Sequence, residues 1–184
     1  MTINFWQTFP LFLAFLVPSL ASPNTSFENT AIVRTVELGG SVVHITTTFA
    51  IKAIEAGSKV YTIALGPEEK HKTSWLDAKV KGQQASLPVS EHDFDVNKYV
   101  YASSRNNILS YSLVSSDYHL LDVALPKALG VNSTMNIVLE TVQTHATTPW
   151  PERASQKDDQ ALKYETNLFV LSPYHTSVQR TKLK

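Results

Sequence analysis

Alternation of apolar and polar residues with period two predicts a mainly β protein, an antiparallel β-sandwich preceded by a cleavable signal-peptide helix. Three observations carry this. Val43, Ile45, Thr47, Phe49 and Ile51 alternate with His44, Thr46, Thr48 and Lys52, so one long strand has an apolar and a polar side. Turn-forming clusters recur at close intervals, as in a stack of short strands. No stretch after the leader has the spacing of an amphipathic helix.

The elements follow in chain order. Residues 1–21 read as a secretory leader: Leu11 to Val17 is unbroken and apolar, lies between Pro10 and Pro18, and is followed by Ser19-Leu20-Ala21, which places the cut after Ala21. A membrane span needs about 20 apolar residues, so this run is too short to stay as an anchor. Thr2 to Gln7 supplies no Lys or Arg. After the strand over Val43 to Ile51, Glu55-Ala56-Gly57-Ser58 reads as a turn and Val60 to Leu65 as the second arm of a hairpin, stopped by Gly66-Pro67. A charged stretch precedes a half-exposed strand in which Leu76, Ala78 and Val80 alternate with Asp77, Lys79 and Lys81 up to Gly82. Gln83 to Asn107 keeps no clean period and reads as loop around one or two short strands, its pairing open. Ile108 to Val114 and Tyr118 to Leu125 suggest another hairpin, ended by Pro126, which lacks a backbone donor. Leu129 to Ser133 is a turn, and Met135 to Thr144 is a strongly apolar strand expected to be covered on both faces. Pro149-Trp150-Pro151 breaks it, Glu152 to Gln160 is poor in β-formers, and Thr166 to Leu171 is a last short strand.

The organisation expected is a leader over 1–21, a β-sandwich domain over 22–145, and a linker with the start of a second, truncated β-domain over 146–184. A strand cut at Lys184 would leave an unpaired edge.

Composition excludes several function classes. About 160 residues after the leader suffice for one core that buries roughly 70% of the unfolded surface. Lys plus Arg equals Asp plus Glu at 16 each, so no basic excess recruits phosphate backbones and nucleic acid is not an expected partner. The chain has no cysteine, which rules out disulfides, Cys-ligated zinc and a thiolate nucleophile.

Candidate chemistry is sparse. Asp93-Phe94-Asp95 has the D-x-D spacing that places two carboxylates on one face of an extended segment, where they could share a hard cation, but no nucleotide-binding βαβ unit accompanies it. His44, His71, His92, His119, His145 and His175 are scattered without ligand-pair spacing and read as surface or capping residues. Neither G-x-S-x-G nor a phosphate-cradling glycine pattern occurs. No catalytic, metal or cofactor residue is therefore assigned. Trp150 between two prolines could stack on a sugar ring, although a corner packed on the sandwich edge is the favoured use. Asn132-Ser133-Thr134 and Asn24-Thr25-Ser26 fit the N-glycosylation acceptor pattern, with Asn132 the stronger because it lies in an expected turn.

With these segments in view, the chain resembles the amino-terminal part of ribophorin I, the subunit 1 family of the eukaryotic oligosaccharyltransferase. The matching pieces run in family order: Phe27-Glu28-Asn29, Arg34-Thr35-Val36-Glu37-Leu38, Ala78-Lys79-Val80-Lys81-Gly82, Leu125-Pro126, Leu139 to His145, Pro149-Trp150-Pro151, and Leu171-Ser172-Pro173-Tyr174 with Thr176 and Gln179-Arg180-Thr181. Gln83 to Asn107 matches poorly.

The resemblance implies a type I membrane protein of the endoplasmic reticulum, with lumenal β-domains and a C-terminal membrane helix missing from this chain. It also implies a non-catalytic subunit that supports en bloc transfer of oligosaccharide from dolichol pyrophosphate to Asn-X-Ser/Thr. Its partners would be the other transferase subunits and nascent polypeptides, engaged through sheet edges and loops. The competing reading is a secreted β-sandwich binding module, lectin-like or adhesin-like, with Trp150 at the sugar site.

Overall fold

The computed structural model describes residues 26–92, 100–101, 111–112, 119–155, 157 and 159–184. The leader, its cut after Ala21, Asn24 and the Asp93-Phe94-Asp95 pattern lie outside them. The described chain is mainly β: β1 (Phe27–Gly39), β2 (Val42–Ala53), β3 (Ser58–Leu65), α1 (Pro67–Lys72), β4 (Thr73–Val80), β5 (Val89–Glu91), β6 (Val100–Tyr101), β7 (Tyr111–Ser112), β8 (His119–Leu129), β9 (Thr134–Thr144), β10 (Thr147–Trp150), β11 (Ala161–Tyr164) and β12 (Gln179–Leu183).

Two sheets face each other across one core. The larger has strand order β12-β1-β2-β9-β4 and the smaller β3-β8-β5, while β6-β7 and β10-β11 are separate two-stranded ribbons. Phe27, Ile32, Phe49, Ile51, Ala78, Ile137 and Leu139 from the larger sheet meet Tyr61, Ile63, Val123, Leu125 and Leu129 from the smaller, and all are buried. Each fully buried large side chain contributes about 1.5–3 kcal/mol, so this layer is the main stabilising term.

The predicted strands β2, β4 and β9 form as expected, with β4 half-exposed at a sheet edge. Of the two faces of β9 only the inner one is fully buried, because the outer face carries Val138, Glu140 and Val142 at intermediate exposure. The strand β1 was not anticipated. A bulge between Asn29 and Ala31 shifts its parity, so that Phe27 and Asn29 point inward and so do Ile32, Arg34 and Val36.

Several expectations are corrected. The turn after β2 does not close a hairpin: β2 pairs with β1 and β9, whereas β3 pairs with β8, so residues 54–57 carry the chain from one sheet to the other. The turn over 130–133 crosses back from β8 to β9 in the same way. The two crossings bond to each other: the Asn132 amide donates to the Ala53 carbonyl at 2.8 Å, Ala53 to Ser133 at 2.9 Å, and Gly57 to Leu129 at 2.9 Å. Backbone groups that sheet pairing leaves over are thereby satisfied.

The second expected hairpin is also absent, since β8 pairs with β3 and β5, and β7, the described part of Ile108 to Val114, pairs with β6. Pro126 does not end β8, which runs to Leu129; it sits where Ser58 pairs with Leu129 but Val60 with Ala124, in a bulge that needs no ladder donor. The charged stretch after Gly66 forms the short helix α1, with Glu68 and Glu69 in its first turn and Lys70 and Lys72 in its last. Thr166 to Leu171 is not a strand; the strands flanking it are β11 and β12. Nor is the larger sheet wholly antiparallel, because β12 runs parallel to β1 from Ile32↔Gln179 to Val36↔Leu183.

Residues 170–176 return to the core and fasten β1. The Asn29 side-chain amide donates to Ser172 Oγ at 2.7 Å and to Thr176 Oγ1 at 3.1 Å, and its carbonyl oxygen accepts from Tyr61 Oη at 2.8 Å. The backbone joins in: the Asn29 amide donates to the His175 carbonyl at 2.8 Å and Ser177 to the Asn29 carbonyl at 2.9 Å. Tyr61 and Tyr174 stack with centroids 4.9 Å apart, and Phe27 meets each edge-on at 5.7 and 5.6 Å. Burial pushes the Tyr61 hydroxyl well above its ordinary pKa, with the neighbouring Tyr174 adding to the shift, so it remains a donor to Asn29.

Asn29→Ala leaves Tyr61, Ser172 and Thr176 without their shared partner and is expected to cost about 3 kcal/mol in urea unfolding. Thr30→Ala, at the exposed bulge position beside it, is expected to stay within about 0.5 kcal/mol of the parent.

Candidate functional site

The sandwich opens at the end where α1 leads into β4. There, Leu65 of β3, Leu121 of β8 and Leu76 of β4 form an apolar floor, and Lys70, Thr73, Ser74, Trp75 and His119 form the rim of an open cleft of about 310 Å³. Trp75 is 50% exposed although it pairs with Val142 of β9. The register shift between Thr73 and Trp75 is the local feature at which this part of β4 departs from regular pairing.

The helix beside the cleft is held by charge. Arg34 Nη1 lies 2.6 Å from Glu69 Oε1, and the Arg34 side chain is 4% exposed on the inner face of β1. The Nε of the same guanidinium is buried without a hydrogen-bond partner. Glu69 is thus committed to the sheet, while the next residue, Lys70, stands at the rim with no ion pair among the described residues.

Sheet pairing assembles two histidine contacts that sequence spacing did not reveal. His92 Nδ1 is 2.5 Å from Asp122 Oδ2, and Thr62 Oγ1 donates to Asp122 Oδ1 at 2.7 Å. Both hydroxyl and imidazole address the carboxylate, and the hydroxyl does not face the imidazole. The row therefore lacks the order of a hydroxyl–imidazole–carboxylate relay; it ties β3, β8 and the residue after β5 together. His119 Nε2 lies 3.5 Å from Glu91 Oε1. Burial and the nearby Lys70 charge lower the His119 pKa below its ordinary value, outweighing Glu91. His92 and His119, expected as surface or capping residues, are each half-buried against a carboxylate. His44, His71 and His145 are exposed. Among the described residues no three His, Asp or Glu side chains converge as metal ligands.

Asn132 lies in the exposed crossing turn with φ of 63°, a left-handed conformation that asparagine tolerates, and its flanking residues are exposed as well. Trp150 does not form the packed corner expected. It is 62% exposed on the β10-β11 ribbon, with Lys163 Nζ 5.8 Å from its ring centroid, so one ring face is already covered by a cation.

Comparison with known proteins gives a family match over residues 27–184, to the family described as Ribophorin I. A Caenorhabditis elegans protein named dolichyl-diphosphooligosaccharide–protein glycosyltransferase subunit 1 is 27% identical over 153 residues, covering 82% of this chain and 22% of that protein. The chain thus spans about a fifth of the length of the curated relative it matches. Among solved structures, a mutant M1 zinc metallopeptidase from Deinococcus radiodurans aligns at TM-score 0.46 and 12% identity over 86% of this chain and 32% of that chain. A two-domain M1 zinc metallopeptidase mutant bound to L-tryptophan aligns at TM-score 0.44 and 12% identity, over 90% of this chain and 34% of that chain. At these scores the likeness carries no inference for this chain.

His119 is expected to titrate below pH 6.5 when its ring protons are followed by NMR, and Lys70→Gln is expected to raise that midpoint. Because the folded value lies below the unfolded one, the stability linked to this group is present above pH 6.5 and is lost as pH falls through the folded value.

Proposed function

The chain belongs to the ribophorin I family, and from that premise we propose that it is a non-catalytic subunit of the oligosaccharyltransferase complex. In this reading it supports en bloc transfer of a preassembled oligosaccharide from dolichol pyrophosphate to Asn-X-Ser/Thr of nascent polypeptides. The observation that carries the reading is the match over residues 27–184, which includes both sheets and the returning segment that fastens them. Two pieces on which the resemblance rests, Phe27-Glu28-Asn29 and Leu171 to Thr176, meet in one buried network although well over a hundred residues separate them in sequence. The polar groups that converge here hydrogen-bond one another, which suits a rigid holding module.

The remaining parts of the reading follow from the family and the leader. The chain is exported into the endoplasmic reticulum after cleavage behind Ala21, its sheets face the lumen, and attachment to the membrane comes from a C-terminal helix outside this chain. Its partners are the other transferase subunits and nascent polypeptides. Asn132 carries an N-glycan, which its exposed turn accommodates without loss of packing, and Asn24 is a second acceptor.

An affinity pull-down of the tagged chain from detergent-solubilised microsomes is expected to recover the transferase subunits. Recovery of a free extracellular monomer that binds glycans would overturn this in favour of a secreted binding module. Asn132→Gln is expected to remove one endoglycosidase-sensitive step in gel mobility and to leave the pull-down unchanged.

A further inference from the structure

We infer that the cleft at the mouth of the sandwich is a docking site for an extended polypeptide carrying an acidic residue beside a bulky apolar one. The inference deepens the proposed function and rests on it for the class of partner; the position and the chemistry come from the β4 edge.

The β4 edge already accepts an added segment of this chain. Leu87 donates its amide to the Ala78 carbonyl at 2.6 Å, Ser86 bridges to Lys79 in antiparallel sense, and Gln83 donates to the Val80 carbonyl at 2.9 Å. After Leu87, Pro88 leads the chain away to β5, which belongs to the other sheet. The next outward-facing position along β4 is Leu76, two residues from Ala78, and no backbone partner covers it among the described residues. A guest strand placed there continues the pairing that residues 83–87 begin.

Specificity comes from the cleft beside that rung. Leu65, Leu76 and Leu121 provide an apolar floor, with Trp75 standing half-exposed at its side, which suits a large aliphatic or aromatic side chain. Charge then selects the neighbour. Glu69 is taken by Arg34, and Glu68 lies 3.7 Å from Lys72. Glu91, 81% exposed, pairs with His119 at 3.5 Å and with no other cation among the described residues. With His119 held toward its neutral form by burial, Lys70 is the cation that lines the cleft among the described residues, and a guest carboxylate complements it.

The test uses the 184-residue chain and short fluorescent peptides read by anisotropy. One peptide places Glu beside Phe, a second replaces that Glu by Lys, a third is the acidic peptide with alternate backbone amides methylated, and chitotriose serves as the sugar probe. The acidic peptide is expected to bind best. Backbone methylation and Trp75→Ala are each expected to weaken it about tenfold. Lys70→Glu, an exposed change that leaves the urea midpoint in place, is expected to reverse the preference between the acidic and basic peptides. Equal binding of all peptides, no peptide binding, indifference to Lys70→Glu, or chitotriose displacing the acidic peptide would each overturn the inference. If the parent chain recovers the transferase subunits from microsomes while none of the peptides binds it, the cleft assignment falls and the proposed function stands.

Discussion

The hydrogen bonds around Asn29 are the constraint on which the rest of the sandwich depends. Asn29 sits on the inner face of β1 and is fully buried, a costly place for an amide unless every donor and acceptor is matched. Here both amide hydrogens go to Ser172 and Thr176 and the oxygen takes the Tyr61 hydroxyl. The matching partners come from the smaller sheet and from the segment that returns after β11, so one side chain fixes three parts of the chain at once. An apolar residue in its place could pack, but it would not select Ser172 and Thr176 over other neighbours, and directional bonds do.

Without cysteines, that selection must come from noncovalent contacts alone. The aromatic cluster of Phe27, Phe49, Tyr61 and Tyr174 supplies the area, and the Tyr61 and Tyr174 hydroxyls supply direction: Tyr174 Oη accepts from the Thr62 amide at 3.0 Å, along the open edge of β3. A β-edge that would otherwise be free is thereby closed by a side chain. The same returning segment shows this again, since Gln179 bonds both the amide and the carbonyl of Val170, at 2.8 and 3.1 Å, in the manner of a neighbouring strand.

How much of this was legible in the sequence follows from which faces are uniform. β2 and β9 alternate buried and more exposed positions, with apolar residues at most of the buried ones, and β4 alternates Leu76, Ala78 and Val80 with charged residues, so period two exposes them. β1 hides because the bulge at Thr30 changes parity midway and because its buried face carries a charged residue, Arg34, together with Asn29. The sheet crossing after β2 is not encoded locally, because turn residues at 54–57 announce a reversal without saying whether the next strand joins the same sheet. Pro126 misled for a related reason: a missing donor ends a strand only where the ladder requires that donor, and a bulge does not. The cleft was illegible altogether. Trp75, His119 and Leu65 come together where one sheet packs against the other, and no local spacing encodes that.

The Arg34–Glu69 pair shows how the inner face governs the outer. A buried ion pair returns little net stability, because desolvation of both charges offsets their attraction, and Arg34 Nε is left without a partner. Its effect is positional. Glu69 lies in the first turn of a helix only six residues long, which has no buried residue of its own and no side-chain cap at its N-terminus. So short a helix is not stable by propensity, and its placement comes from tertiary contacts. With Glu69 fixed to β1, the helix axis is set, and Lys70 and Thr73 are carried to the rim of the cleft. Thr73 Oγ1 then closes the end of the helix by donating to the Glu69 carbonyl at 2.6 Å, so the residue that begins β4 and the residue that meets Arg34 are linked directly. The charge at the mouth of the sandwich is therefore a consequence of a polar residue buried on β1, and the two cannot vary independently.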